Sequence, residues 1–162
     1  GPMSTHIHSL LPGDMLLIRG PSGRYTYKPQ KQKKLLMFAA GTGIAPMYQI
    51  IKEIAKKDNT DDTDTILIYA SKTKEDILLK KDLDAMSMYM SRESKATLKI
   101  HYLLSREKED WPLKGRITCD LVKKLVPLDD LQSPTTFSLI CGTDGFCESA
   151  INILKEPGQG EG

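Results

Sequence analysis

A chain of 162 residues, 27% charged and 40% hydrophobic, has room for one domain, or for one domain and part of another. A formal net charge of +2 draws neither nucleic acid nor a membrane surface, so no nucleic-acid partner is expected. No apolar run approaches the ~18 residues of a membrane span, and no signal peptide is read at the start. The three cysteines, Cys119, Cys141 and Cys147, form an odd and widely spaced set. They argue against a disulfide framework and fit a reducing compartment. With His6, His8 and His101 they give no metal-ligand spacing, so no metal site is expected.

Gly1-Pro2 reads as the remnant of a protease cleavage and is left out of the expected fold. Pro12-Gly13-Asp14 marks a turn, residues 15–18 a short strand, Arg19-Gly20-Pro21-Ser22-Gly23 a second turn, and 25–27 a second strand. So few strands bury no core alone, and they read as the tail of a β-domain. Residues 28–34, with four lysines, read as a solvated connector.

From residue 35 the style changes. Residues 35–40 are a continuous apolar run, as expected for a strand buried on both faces. Gly41-Thr42-Gly43 breaks it, Pro46 suits a first helical position, and Met47, Ile50, Ile51 and Ile54 recur at helical spacing. Strands follow at 65–70, 98–104 and 137–140. Helices are marked by Leu79, Leu83, Met86 and Met90, by Thr118, Leu121, Val122 and Leu125 ending at Pro127, and by Phe146, Ala150, Ile153 and Leu154. This alternation predicts an α/β fold with a parallel sheet flanked by helices and right-handed crossovers. Ligands in such sheets bind at the carboxyl ends of the strands. Here those ends are Gly41-Thr42-Gly43, Ser71-Lys72-Thr73, Ser105-Arg106-Glu107 and Cys141-Gly142-Thr143.

A strand, a glycine loop and a helix N-terminus make a seat for a nucleotide pyrophosphate, because backbone N–H groups lie open and the helix end is partly positive. The motif is neither the three-glycine dinucleotide fingerprint nor a P-loop, and the Lys-Ser/Thr of a phosphotransferase is absent. Taken alone, Gly-Thr-Gly reads equally as a tight turn. The longer string Ala40-Gly41-Thr42-Gly43-Ile44-Ala45-Pro46-Met47 resembles the pyridine-nucleotide loop of the ferredoxin-reductase-like flavoproteins, most closely cytochrome b5 reductase. Met3-Ser4-Thr5-His6-Ile7, Arg19-Gly20-Pro21-Ser22-Gly23-Arg24-Tyr25, Lys74-Glu75-Asp76-Ile77-Leu78-Leu79-Lys80 and Cys141-Gly142 resemble further segments of that family, in order. The chain departs from it at Ala45, where the family has a threonine able to cap the helix. It also departs at Thr143-Asp144-Gly145, where the family has two prolines, and it lacks the flavin-binding Arg-x-Tyr-Ser/Thr string.

The resemblance implies three regions. Residues 3–30 would be the C-terminal end of an FAD-binding β-barrel domain, 34–156 an NAD(P)H-binding α/β domain, and 157–162 a disordered tail. It implies a reductase that passes a hydride from NADH or NADPH to FAD, held mainly by the missing upstream domain, and then electrons to a haem protein such as cytochrome b5. This fragment alone would be inactive. It further implies a monomer that is cytoplasmic or at the cytoplasmic face of the endoplasmic reticulum or a mitochondrion. The alternative is a stand-alone nucleotide-binding or regulatory module without redox activity.

By resemblance Thr42 lies beside the flavin edge, Cys141 beside the nicotinamide, and Ser4 at the FAD pyrophosphate. The cofactor-binding set is Ser4, Gly41, Thr42, Gly43, Pro46, Ser71, Lys72, Asp76, Ser105, Arg106, Lys108, Cys141, Gly142 and Thr143. By composition alone Thr42 is a turn residue and Cys141 a small buried thiol. Ser105 stands where NADH-preferring members carry an acidic residue. With Arg106 and Lys108, and Lys72 and Lys74 nearby, it makes the site permissive for NADPH. A solvated loop offset by Glu107 and Glu109 is the other reading. Trp111 reads as a loop packing anchor, and Cys119 and Cys147 as core.

Overall fold

The computed structural model describes residues 1–20, 25–29, 31–56 and 61–155. The elements are α1 (Pro2–Ser9), β1 (Lys34–Ala40), a 3-10 turn (Gly41–Gly43), α2 (Ile44–Ile54), β2 (Asp64–Ser71), α3 (Lys80–Glu93), β3 (Thr97–Leu104), α4 (Cys119–Leu125), α5 (Leu128–Gln132), β4 (Thr136–Cys141) and α6 (Asp144–Lys155). The four strands form one sheet in the order β3-β2-β1-β4, and every pairing is parallel.

Strand alternation divides the core in two. Leu35, Met37 and Ala39 of β1 pack with Met47, Ile51 and Ile54 of α2 and Leu83 and Met90 of α3. Leu36 and Phe38 point the other way, toward Val122 of α4 and Ala150 and Ile153 of α6. A central strand covered on both faces must be apolar at every interior position, which is why residues 35–39 are all buried. Burying each large side chain contributes on the order of 1.5–3 kcal/mol. The chain steps from β1 to β2 to β3, then returns to place β4 on the other side of β1.

The barrel tail is not found. Met15 and Leu17 are 92% and 99% exposed, and neither 15–18 nor 25–27 forms a strand. A strand needs a neighbour to take its backbone hydrogen bonds, and among the described residues none pairs with these. Tyr25 and Tyr27 instead fasten to the α/β unit. Tyr25 stacks on Phe137 with ring centroids 4.9 Å apart, and the Tyr27 hydroxyl donates to the buried Asp61 carboxylate. Gly1 and Pro2 belong to the fold after all, at the N-cap and first turn of α1. The turn at 21–24 and the tail 157–162 lie outside the described residues.

Smaller differences have local causes. Pro46 is the third residue of α2, still within the first turn, where a missing N–H breaks no helical bond. Ala45 lies inside α2, and Gly43 occupies the cap position. α3 begins only at Lys80, because Asp76 accepts from both the N–H and the hydroxyl of Thr73, each at 3.0 Å, and closes a turn. Pro127 caps α5, a helix too short to show a period.

Candidate nucleotide-binding site

The strand order reverses between β1 and β4, and the crevice outside their carboxyl ends is where an open α/β sheet receives ligands. Two loops meet there. Gly41 has φ +54°, and a Cβ built on it would meet nothing within 4 Å, so the side where a side chain would stand is open. Thr42 is exposed at the apex. The Ile44 N–H closes the turn onto the carbonyls of Gly41 and Thr42. Gly43 has another reason to be glycine: a Cβ there would lie 2.2 Å from the Cys141 carbonyl oxygen and 3.0 Å from the Gly142 nitrogen. The two loops therefore touch backbone to backbone. Gly142 is equally confined, since its Cβ would stand 2.8 Å from both Ala40 Cβ and Phe146 Cδ1. Cys141 is half-buried beside the first core cluster, and the Thr143 carbonyl accepts from Cys147 N at 2.9 Å in the first turn of α6.

The next two strand ends continue the seat. Ser105 N donates to Ser71 O at 3.0 Å and Arg106 N to Lys72 O at 2.8 Å, so the β2–β3 ladder runs into the loops. Ser71 is buried, and among the described residues its hydroxyl meets no partner at good hydrogen-bond geometry, the Tyr69 hydroxyl being a polar neighbour that acts on it. Lys72, Ser105, Arg106 and Lys108 are exposed. Asp76 is spent inside its own loop on Thr73. Ser4 does not join the seat: its hydroxyl donates to the Gly1 carbonyl at 2.8 Å and accepts from the Gly1 amine within α1. Pro46 stands at the helix entrance but offers no N–H to an anion. Trp111 is the expected anchor, packed on the first cluster with its indole N–H donating to Tyr102 O at 3.0 Å.

The roles of three residues at the site were not read from the sequence. Tyr69 is fully buried, and its hydroxyl donates to Gly41 O at 3.0 Å and accepts from Leu78 N at 3.2 Å. Glu107 accepts from the N–H groups of Lys74 (2.8 Å), Lys108 (2.9 Å) and Glu109 (3.2 Å). Those bonds, that of Lys74 first, hold its carboxyl below the ordinary value. Leu79 has φ +57°, a left-handed conformation rare for a side-chain-bearing residue. The only advance signal was a tyrosine in an apolar strand, whose buried hydroxyl needs a partner.

A groove of about 620 Å³ lies beside this loop, lined by Lys74, Ile77, Leu79 and Lys81 among others, but neither Thr42 nor Cys141 lines it. Among the described residues no group of three or more His, Cys, Asp or Glu is placed to hold a metal, and no helix is long and apolar enough to cross a membrane. The open side of Gly41, the buried Ser71 hydroxyl and the exposed cations of the strand-end loops fit a phosphate-bearing nucleotide.

The family model described as the oxidoreductase NAD-binding domain matches residues 37–151. NADH-cytochrome b5 reductase 2 of Coccidioides immitis is 36% identical over 163 residues, covering 99% of this chain and 48% of that protein. NADH-cytochrome b5 reductase 1 of Kluyveromyces lactis is 44% identical over 128 residues, covering 78% of this chain and 44% of its own. Among solved structures, the cytochrome b5 reductase domain of Ulva prolifera nitrate reductase matches with a TM-score of 0.84 at 29% identity, covering all of this chain and 62% of that one. The chain thus spans about half the length of the curated relatives it matches. These comparisons lend no support to a stand-alone regulatory module.

Proposed function

The chain belongs to the oxidoreductase NAD-binding domain family, and from that premise we propose that it seats the pyridine nucleotide of a flavin-dependent reductase of the cytochrome b5 reductase type. The observation that carries the proposal is the left-handed, open Gly41 at the strand-order reversal, beside a glycine packed directly on the Cys141 backbone. When bound, NADH or NADPH would supply a hydride at this seat, and FAD, held mainly outside this chain, would supply the two-electron-to-one-electron chemistry that serves a haem protein of the cytochrome b5 kind.

The chain's own residues position and screen. Gly41 and Gly43 let the loop approach the dinucleotide, with Pro46 fixing the entry of α2. Thr42 presents its hydroxyl toward the flavin side. Cys141, Gly142 and Thr143 form the opposite wall, with the thiol beside the nicotinamide. Ser71 and Lys72, with Ser105, Arg106 and Lys108, take the adenosine side, and Asp76 shapes that side through Thr73. Residues 3–30, with Ser4, are proposed to belong to the flavin-binding part and 34–156 to the nucleotide-binding domain. We place the whole protein as a monomer, in the cytoplasm or on the cytoplasmic face of a membrane.

Coenzyme choice falls to the β3 end. A 2′-phosphate carries roughly −1.5 to −2 charge near pH 7, by analogy with other phosphomonoesters. Ser105→Asp sets a carboxylate against it, and in a solvated loop the expected loss of NADPH affinity is about ten- to thirtyfold, with NADH equal or tighter. Arg106→Ala weakens NADPH more than NADH, and salt shrinks the difference. Calorimetric titration of both coenzymes into the three proteins at two ionic strengths tests this. Binding of neither coenzyme by the wild-type chain would overturn the nucleotide reading. One common affinity ratio in all three would remove these residues as the discriminator.

A further inference from the structure

Packing alone asks for no hydroxyl at position 69. The ring lies in the first core cluster on β2, register-paired with Ala39 of β1, where an apolar ring would fill the same space. The hydroxyl nevertheless makes two bonds to two different loops. It gives its one proton to Gly41 O and takes the Leu78 N–H on a lone pair. Each bond lands at a left-handed position or next to one: Gly41 has φ +54°, and Leu79, which follows Leu78, has φ +57°. A leucine holds that conformation only where its surroundings fix it. Its carbonyl accepts from Leu83 N at 2.9 Å on the helix side, and the Tyr69 bond to Leu78 braces the loop side. Burial pushes the phenol above its ordinary value, so it stays protonated and keeps its donor across the physiological range.

We propose that Tyr69 is a positioning residue whose hydroxyl couples the Gly41–Gly43 loop of the nucleotide seat to the loop at 74–79 that follows β2, so that occupancy of the first is transmitted to the second. The inference rests on the nucleotide reading of that loop. The two ends of the coupling are unequal. Without the hydroxyl, Gly41 O keeps its bond from Ile44 N, whereas the Leu78 N–H loses its partner. The 74–79 loop is therefore the part that is released, and with it Lys74 and Asp76.

Tyr69→Phe keeps the ring and its burial and deletes only the hydroxyl. The test is an NMR titration of the ¹⁵N-labelled 162-residue chain with NAD⁺, wild type against Tyr69→Phe, with the amide spectrum as the folding control. In wild type the amides of residues 41–43 and of Leu78 are expected to shift together along one binding curve. In Tyr69→Phe the loop at 41–43 still shifts, Leu78 no longer follows, and affinity falls about three- to tenfold, the worth of one net hydrogen bond. If Leu78 follows as before and affinity is unchanged, the coupling is overturned while the nucleotide site stands. If residues 41–43 of the wild-type chain do not respond to NAD⁺, the nucleotide reading itself falls, and the coupling with it.

Discussion

Gly41 and Gly43 stand two residues apart and are glycines for different physical reasons. At Gly43 the obstacle is protein, because a Cβ would press on the Cys141 carbonyl at 2.2 Å. At Gly41 it is conformation and access, since nothing lies within 4 Å of the Cβ position but φ is +54°. Gly43→Ala should push the β4 loop away at a cost of about 1–3 kcal/mol, the usual range for overpacking, and lower Tm and nucleotide affinity together. Gly41→Val should cost only about 1–2 kcal/mol of left-handed strain yet lose nucleotide affinity out of proportion, as its branched side chain fills the open approach. Thermal melts paired with calorimetric titration of NADH separate the two, and equal loss of stability and affinity in Gly41→Val would refute the assignment. These glycines were legible because they interrupt apolar runs. Tyr69 and Glu107 were not, because each also reaches a backbone atom far along the chain, Gly41 O at 28 residues and Lys74 N at 33, which no local spacing encodes.

The loops after β2 and β3 are held to each other partly by a carboxylate. Glu107 collects three backbone N–H groups, and these favour its charged form over the neutral one. With its folded pKa depressed, the tie is present above the ordinary value of 4.5 and is lost as pH falls through the lower folded value. The Lys74 and Glu109 amide shifts should therefore hold steady down to about pH 4.5 and move together only below it, and Glu107→Gln should abolish that transition. A shared midpoint at or above the ordinary value would show that the bonds do not form in solution. The same scale explains how far the fold could be read. All four sheet strands were visible as apolar runs, yet each begins earlier than its run. Lys34, Asp64, Thr97 and Thr136 form one polar row across the base of the sheet, in register, and polar residues carry no apolar period. α5 is a five-residue helix and α1 buries no residue, so neither had an apolar face to announce it. The apolar run at 15–18 was present, but among the described residues no neighbouring strand gives it a structure.

The described residues form one sheet with a core on each face, and residues 1–20 add little to either. α1 has no buried residue, Leu10 is half-buried, and Met15, Leu17 and Ile18 are 92%, 99% and 81% exposed. Among the described residues Tyr25 and Tyr27 are the first whose side chains engage the sheet, through Phe137 and through Asp61. Asp61 is 1% exposed and also takes the Thr63 hydroxyl at 2.6 Å and the Thr63 N–H at 3.1 Å, so it ties residue 27 to the base of β2. On this geometry residues 25–29 fold with the α/β unit although they lie inside the stretch proposed for the flavin-binding part. Deleting residues 1–20 should leave Tm nearly unchanged and NADH affinity intact, because almost no apolar area is returned to water. Asp61→Ala in the full chain should instead strip the acceptor from three donors, the Tyr27 hydroxyl and the Thr63 hydroxyl and N–H, at about 1–3 kcal/mol. For a unit of this size that is a fall in Tm of several degrees. Differential scanning calorimetry of the two variants beside the parent decides the matter. If the deletion costs as much as Asp61→Ala, the first twenty residues are structural parts of the nucleotide domain, and its boundary moves back to α1.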